Sequence, residues 1–115
     1  MQSTGSATVF HVSDLDRKHA YYRDVLGFEE DFRFGNYAGV KLGLVNLHLV
    51  GSSDQDQNIG AGQVYVFCDE VDEYYSAVAS RGATMVSPPC DTAYGLRDFM
   101  LADHDGNRLS FGRDI

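Results

Sequence analysis

The chain has 115 residues and a mass of 12.7 kDa, and nine Lys+Arg against seventeen Asp+Glu give it a formal net charge of −8. This length fits one domain, and 43% apolar with 23% charged residues is typical of a globular chain and excludes a disordered one. An acidic surface without clustered Lys and Arg excludes nucleic acid as a partner and favours cationic ligands or simple solubility.

The cysteines and the N-terminus indicate the compartment. Cys68 and Cys90 make neither a disulfide framework nor a zinc pair. Residues 1–6 lack the basic and apolar regions of a signal peptide, and no window approaches the ~20 apolar residues of a membrane span. We therefore expect a cytoplasmic protein without a membrane partner. Cys68 is predicted to be a small buried hydrophobe.

A strand followed by a helix opens each half of the chain. In the first half, residues 8–12 are apolar and β-branched, and Ser13 or Asp14 then supplies an oxygen that caps the helix. In the second half, residues 64–68 run into Asp69, which is predicted to cap the second helix. Residues spaced by three or four give each helix one apolar face. These faces are formed by Leu15, His19, Tyr22 and Leu26 and by Val71, Tyr74, Tyr75 and Val78.

Each helix is predicted to end at a glycine, Gly27 or Gly82, and to be followed by three short β segments. Pro88-Pro89 is predicted to end one strand, and Asp105-Gly106 is a strong hairpin signal. The predicted segments are 28–34, 37–42 and 44–50, then 84–87, 96–102 and 107–112.

The two halves repeat with an offset of fifty-five or fifty-six residues, which indicates a duplicated unit. We predict an α+β fold of two tandem βαβββ modules that form cupped mixed sheets with the helices on the outer face. The whole chain, 1–115, is then one domain. Module one covers about 7–51, a polar linker about 52–62, and module two about 63–113.

Two motifs resemble the vicinal-oxygen-chelate superfamily, which includes glyoxalase I, extradiol dioxygenases and the bleomycin-resistance proteins. The opening motif is Val12-Ser13-Asp14-Leu15 followed by Tyr21-Tyr22-Arg23-Asp24-Val25-Leu26-Gly27-Phe28. The closing motif, Asp103-His104-Asp105-Gly106-Asn107, is similar to the family's Asp-Pro-Asp-Gly-Asn hairpin, with His104 where proline is usual. The similarity extends from Ala7 to Gly112.

The resemblance implies four metal-ligand positions, one on each of four strands. They fall on Ala7, on Asn46 or His48, on Gln63 and on Ser110. Ala7 has no donor atom, and neutral Gln and Ser are weak substitutes for the family's His and Glu. Since a catalytic zinc or iron site commonly needs three protein ligands, we expect no metal, no cofactor and no metal-dependent catalysis.

No other residues suggest a catalytic centre. His11, His19 and His104 are each isolated in the predicted elements, and a lone histidine is more often packed or solvated than a ligand. Cys68 is followed by Asp69, which raises the pKa of a thiol and does not activate it. No paired carboxylates can be placed across a cleft from the sequence.

Aromatic residues are predicted to line the face opposite the helices. Tyr65 and Phe67 alternate with apolar residues and share a face with Gln63, a metal-ligand position on the concave side. Phe32 and Phe34 likewise share one face of their strand. As a set, such residues suit a flat or cationic group through stacking and cation–π contacts of ~0.5–2 kcal/mol each.

Within the superfamily the pattern is most similar to the metal-free bleomycin-resistance proteins, which bind and sequester a cationic glycopeptide antibiotic in grooves at a dimer interface. Similar segments are Asp31-Phe32, Tyr37-Ala38-Gly39-Val40, Val45-Asn46-Leu47-His48 and Tyr94-Gly95-Leu96-Arg97-Asp98-Phe99. The resemblance implies a drug-binding, antibiotic-resistance role and these ligand-binding residues: Phe32, Tyr37, His48, Tyr65, Phe67, Tyr94 and Asp98. The acids suited to attract a cation are Asp31, Asp54, Asp56 and Asp98. Unlike that family, this chain has no tryptophan.

Three functions remain open at this point. The first is a non-catalytic protein that binds a cationic or aromatic small molecule. The second is a glyoxalase- or dioxygenase-like lyase or oxidoreductase with an atypical metal set around His48, or with no metal. The third is a regulatory or interaction module without small-molecule affinity. We expect a homodimer in each case, with or without exchange of modules between the copies.

Overall fold

The computed structural model describes residues 1–53 and 55–115; Asp54, one of the acids suggested to attract a cation, lies outside them. The first module contains β1 (Thr8–Val12), α1 (Leu15–Ala20), a π-helical segment (Tyr21–Val25), β2 (Glu29–Phe34), β3 (Tyr37–Leu42) and β4 (Val45–Gly51). The second contains β5 (Gln63–Phe67), α2 (Val71–Ser80), β6 (Thr84–Asp91), β7 (Leu96–Ala102) and β8 (Arg108–Asp114).

The strands form two four-stranded mixed sheets, in the orders β1-β4-β3-β2 and β5-β8-β7-β6. In each sheet the strand that precedes the helix pairs in parallel with the last strand of its module, and the other pairs are antiparallel. The two modules thus share one topology. The predicted α+β fold of tandem βαβββ units is confirmed.

One apolar core lies between the helices and the sheets and continues across both modules. Alternate residues of β1, β3, β4, β7 and β8 point into it because successive side chains of a strand face opposite sides, whereas the edge strand β2 is exposed along its length. Phe10 and Leu49 in the first sheet, and Phe99, Leu109 and Phe111 in the second, are at most 1% exposed. The side chains between them lie on the opposite face, which the helices leave uncovered.

The helices differ from prediction at two points. The first helix turns from α to π geometry at Tyr21, which lets the adjacent Tyr21 and Tyr22 both be buried. Asp14 caps it as expected by accepting the Arg17 N–H, but the N-cap of α2 is Glu70, without a side-chain hydrogen bond, so the prediction that Asp69 caps α2 is wrong. Within the described residues, no helix is long and apolar enough to cross a membrane.

The prediction that Pro88-Pro89 ends a strand is also wrong, because β6 continues to Asp91. β6 is an edge strand, where a proline without an N–H breaks no ladder hydrogen bond if its nitrogen faces outward. The register with β7 shifts between Met85 and Ser87 and again between Ser87 and Cys90. These irregularities accommodate the two prolines.

The turn between β7 and β8, residues 103–107, connects the second module to the first through hydrogen bonds. The buried Asp103 carboxylate accepts the N–H groups of residues 105–107 on one oxygen, at 2.9–3.0 Å. Its other oxygen accepts the Tyr22 hydroxyl at 2.9 Å and the Asn107 amide at 3.0 Å. In this chain the closing motif therefore has a structural role.

Candidate ligand-binding site

The uncovered face of the first sheet carries the first aromatic cluster, formed by Phe32, Tyr37 and His48. The Tyr37 hydroxyl and His48 Nδ1 are 2.9 Å apart. The Phe32 ring lies parallel to Tyr37 with centroids 6.2 Å apart and meets the His48 ring edge-on at 5.2 Å. Phe32 reaches this place because Gly39 leaves room, since a Cβ there would overlap the Phe32 ring.

The second sheet carries the second aromatic cluster, in which Tyr65, Phe67 and Tyr94 surround Asp98. The hydroxyls of Tyr65 and Tyr94 donate to the same oxygen of Asp98, Oδ2, at 2.8 and 2.5 Å. The Tyr65 and Phe67 rings lie 5.3 Å apart. Two phenols, one from a strand and one from a loop, thus converge on one carboxylate.

Both phenols remain protonated over the physiological pH range. Burial, followed by the hydrogen bond to Asp98, raises the pKa of Tyr65. The hydrogen bond to Asp98 is the main cause of the raised pKa of Tyr94. A negative charge near a phenol disfavours its ionised form. Each hydroxyl therefore stays a donor, and Asp98 is left as the charged group of the cluster.

Two aromatic rings of the second cluster are open to solvent, whereas Tyr65 is half-buried. Phe67 is 77% and Tyr94 66% exposed, and Phe34 at the end of β2 is 85% exposed. Contiguous exposed apolar patches are a feature of binding surfaces, and these three side chains are candidates for such a patch. In the part of the chain that is described, no aromatic pair or side-chain hydrogen bond joins the two clusters.

The seven predicted binding residues therefore divide into two groups, one on each sheet. The structure also shows the contacts of the acids that were predicted to attract a cation. Asp31 lies 3.9 Å from the Lys41 ammonium, and Asp56 lies 3.1 Å from His11. Of the three acids in this set that the structure describes, Asp98 is the one that lies among aromatic rings. The His11 contact was missed because the sequence does not show which strand the 52–62 segment lies beside.

The metal-ligand positions implied by the resemblance do not fit a divalent ion. Tyr65 and Ser110 are paired across β5 and β8, and Gln63 pairs with Arg108. In the first sheet, His48 is engaged with Tyr37. Among residues 1–53 and 55–115, no three His, Cys, Asp or Glu side chains are grouped closely enough to hold a metal ion. The donor set is too poor for the metal site of the family's enzymes.

Residues 6–111 match the sequence profile of the Glyoxalase/Bleomycin resistance protein/Dioxygenase superfamily. The chain belongs to this superfamily. The comparison with curated proteins finds no match.

Solved structures with the superfamily fold cover almost the whole chain. TioX from Micromonospora sp. ML1 is 23% identical with a TM-score of 0.83, covering 98% of this chain and 100% of that one. The bleomycin-binding protein from bleomycin-producing Streptomyces verticillus, complexed with copper(II)-bleomycin, is 24% identical with a TM-score of 0.78, covering 96% of each chain. A superfamily member from Sphaerobacter thermophilus is 24% identical with a TM-score of 0.80, covering 99% of each chain.

Gly112 leaves the space that the Tyr65 ring occupies in the second aromatic cluster. A Cβ at Gly112 would overlap the Tyr65 hydroxyl oxygen. We expect Gly112→Ala to fold, at a cost of about 1–2 kcal/mol, with the Tyr65 ring displaced from Asp98. A crystal structure or ring NOEs will show the displacement. Ser110→Ala, on the same face of β8, removes a hydroxyl without adding volume and should leave the ring in place; an unmoved Tyr65 in Gly112→Ala would contradict this account.

The two free thiols are expected to differ in reactivity. Burial, and then the charge of Asp69, raise the pKa of Cys68, so less of its reactive thiolate is present at pH 7–8 than for an ordinary cysteine. Cys90 is exposed. We expect a disulfide reagent to modify Cys90 first, and the Cys68 rate to rise with pH until its raised pKa is passed. Equal rates in the native protein, measured by mass spectrometry, would contradict this; equal rates in urea are the control.

Proposed function

We propose that this protein is a non-catalytic binding protein that sequesters a cationic or aromatic small molecule in a groove lined by the two aromatic clusters. The observation that carries the proposal is the arrangement of Tyr65 and Tyr94 around the Asp98 carboxylate. It combines exposed π faces with one negative charge, which is what an aromatic cation needs for stacking, cation–π contact and charge pairing.

The two clusters lie on separate sheets, so each is half of a groove. We propose that a homodimer with two-fold symmetry places the first aromatic cluster of one copy opposite the second aromatic cluster of the other, which forms two identical grooves. The exposure of Phe34 and Phe67 supports the proposal that a second copy of the chain covers this surface. Sedimentation is expected to give twice the 12.7 kDa chain mass. Two free thiols fit a cytoplasmic location.

The family and its fold support a small organic ligand. The bleomycin-binding protein from Streptomyces verticillus, in complex with copper(II)-bleomycin, shares the fold over 96% of this chain. The net charge of −8 supports attraction of a cation over an anion. A role in resistance to a cationic antibiotic follows if such a compound is bound tightly enough to be kept from its target.

Calorimetric titration tests the proposal with three probes. Bleomycin and berberine, a planar cation, are compared with 2-naphthalenesulfonate, a planar aromatic anion. We expect saturable binding of at least one cation, with one site for each chain, and at least tenfold weaker binding of the anion. No heat and no thermal shift with either cation, or equal binding of the anion, would overturn the proposal. Stoichiometric zinc, iron or manganese in the purified protein would favour the enzymatic alternative.

A further inference from the structure

A cavity lies on the helix side of the molecule, between the β3–β4 turn of the first module and α2 of the second. Its volume is about 530 Å³, within the roughly 300–1,000 Å³ typical of small-molecule sites. Leu44 and Val45 line it from the first module, with Leu44 exposed at the rim, and Tyr74 and Ala77 line it from α2. It borders the second aromatic cluster at Phe67 and is otherwise separate from it.

The internal repeat explains why this cavity is present, because the equivalent position in the other half of the molecule can be compared with it. Leu15 and Val71, the first residues of the two helices, set an offset of 56 residues between the modules. At the equivalent place in the other half, the turn 103–107 packs against the first helix. Asp105 accepts the Ser13 N–H at 2.8 Å and lies 3.4 Å from the Lys18 ammonium. We call this position beside the first helix, which the turn 103–107 occupies, the filled seat. The cavity beside α2 is the equivalent position in the other half, and we call it the open seat.

The open seat results from two differences in sequence between the modules. The β3–β4 connection has two residues, Gly43 and Leu44, whereas the β7–β8 connection has five. In the filled seat the Tyr21 ring contacts the His104 ring, with centroids 4.7 Å apart. The residue at the equivalent helix position in the open seat is Ala77. A shorter turn and a smaller side chain leave the space empty.

The charge of the seat is also reversed. In the filled seat Lys18 of α1 pairs with the Asp105 carboxylate, and Arg17 precedes it in the helix. The equivalent residues in the open seat are Tyr74 and Glu73. Among the described residues, no lysine, arginine or histidine lines the cavity. Across the described ranges, none of its carboxylates forms an ion pair. These carboxylates are Asp69, Glu70 and Glu73.

We propose that this cavity is a second binding site for a small apolar molecule that carries an amine. It is distinct from the groove of the aromatic clusters, with which it shares Phe67. The apolar body lies between Leu44 and Ala77, and the ammonium group pairs with the carboxylates at the mouth. The apolar walls supply hydrophobic burial, and the acids at the rim supply the preference for a cation over an anion.

The test uses 4-phenylbutylamine, with 4-phenylbutyrate and 4-phenyl-1-butanol as anionic and neutral probes of the same shape. Binding is followed by amide chemical shifts in NMR. We expect saturable binding of the amine at roughly millimolar or lower concentrations, with shifts at Leu44 and Ala77, and at least tenfold weaker binding of the acid. Absence of saturation, or shifts confined to the two aromatic clusters, would overturn the proposal.

Three variants separate this site from the groove. Ala77→Phe fills the cavity and is expected to weaken amine binding at least tenfold. Glu73→Arg, at an exposed helix position, restores the charge sign of Arg17 and is expected to reverse the preference from amine to acid. Asp98→Asn, on the other face of the second sheet, should leave amine binding at the cavity unchanged. An unaltered preference in Glu73→Arg would contradict the charge argument even if Ala77→Phe does not fold.

A second copy of the chain is the competing occupant. If the cavity is covered by another copy in solution, Ala77→Phe will reduce the assembly mass, and the amine will compete with association. Either result, observed by sedimentation, would overturn the small-molecule site. An unchanged assembly mass together with loss of amine binding supports it.

Discussion

Replacing Asp103 with alanine is expected to lower the free energy of unfolding by about 3–5 kcal/mol. Asp103 is 3% exposed, and its carboxylate accepts five hydrogen bonds, three from the backbone of its own turn and two from side chains. The substitution leaves the Tyr22 hydroxyl, in a residue with no exposed surface, without its acceptor. An unsatisfied buried donor costs roughly 1–3 kcal/mol, and the turn loses its organising group as well.

The effect should extend beyond the turn because residues 103–107 contact the first module. Asn107 donates to the His11 carbonyl oxygen at 3.1 Å and accepts the Gly62 N–H at 2.9 Å. Loosening the turn therefore weakens the contact between the modules. In chemical denaturation we expect a lower midpoint and, if the modules separate, a smaller denaturant dependence.

Asp16→Ala is the matched control for Asp103→Ala. It removes a carboxylate that is 85% exposed and lies 2.9 Å from Arg33, so the expected change is within about 1 kcal/mol. If the two variants unfold at the same denaturant concentration, the closing motif does not stabilise the fold as proposed.

Strand and helix positions were predictable from the sequence where periodicity and glycine coincided. Gly27 and Gly82 have positive φ angles of 81° and 93°, which an L residue rarely adopts, and both follow helices as predicted. The predicted end of β6 at Pro88 failed because the position of a strand in the sheet decides whether proline is tolerated. Local sequence contains no information on edge placement.

The residue types of the aromatic clusters were predictable, but their partners were not. Tyr65 and Asp98 are 33 positions apart and meet only because β5 pairs with β8 and β8 with β7 in a particular register. The cavity beside α2 was not predicted at all. It follows from the two-residue connection at Gly43 and Leu44, and a short turn in a sequence does not show which surface it leaves uncovered.

Replacing Asp98 with asparagine is expected to weaken the binding of a cationic aromatic ligand by about tenfold to a hundredfold. A charge-assisted contact contributes roughly 1.5–3 kcal/mol, and asparagine keeps the shape of the side chain while removing its charge. The carbonyl oxygen of the new amide side chain can still accept from Tyr65 and Tyr94, so the rings should stay in place. The loss is therefore assigned to charge if calorimetry with berberine shows it and the crystal structure is unchanged.

Two controls make the Asp98 result decisive. Asp16→Asn removes the same charge from the exposed surface of α1 and should change the affinity by less than about twofold, since exposed charges act weakly at physiological salt. Tyr65→Phe keeps the charge and the ring but removes one hydroxyl from Asp98 Oδ2. If charge pairing dominates, Tyr65→Phe will bind the cation nearly as well as the unaltered protein. If Asp98→Asn binds with unaltered affinity while Tyr65→Phe loses it, the carboxylate only positions the phenols, and the ligand is recognised by hydrogen bonding to the hydroxyls.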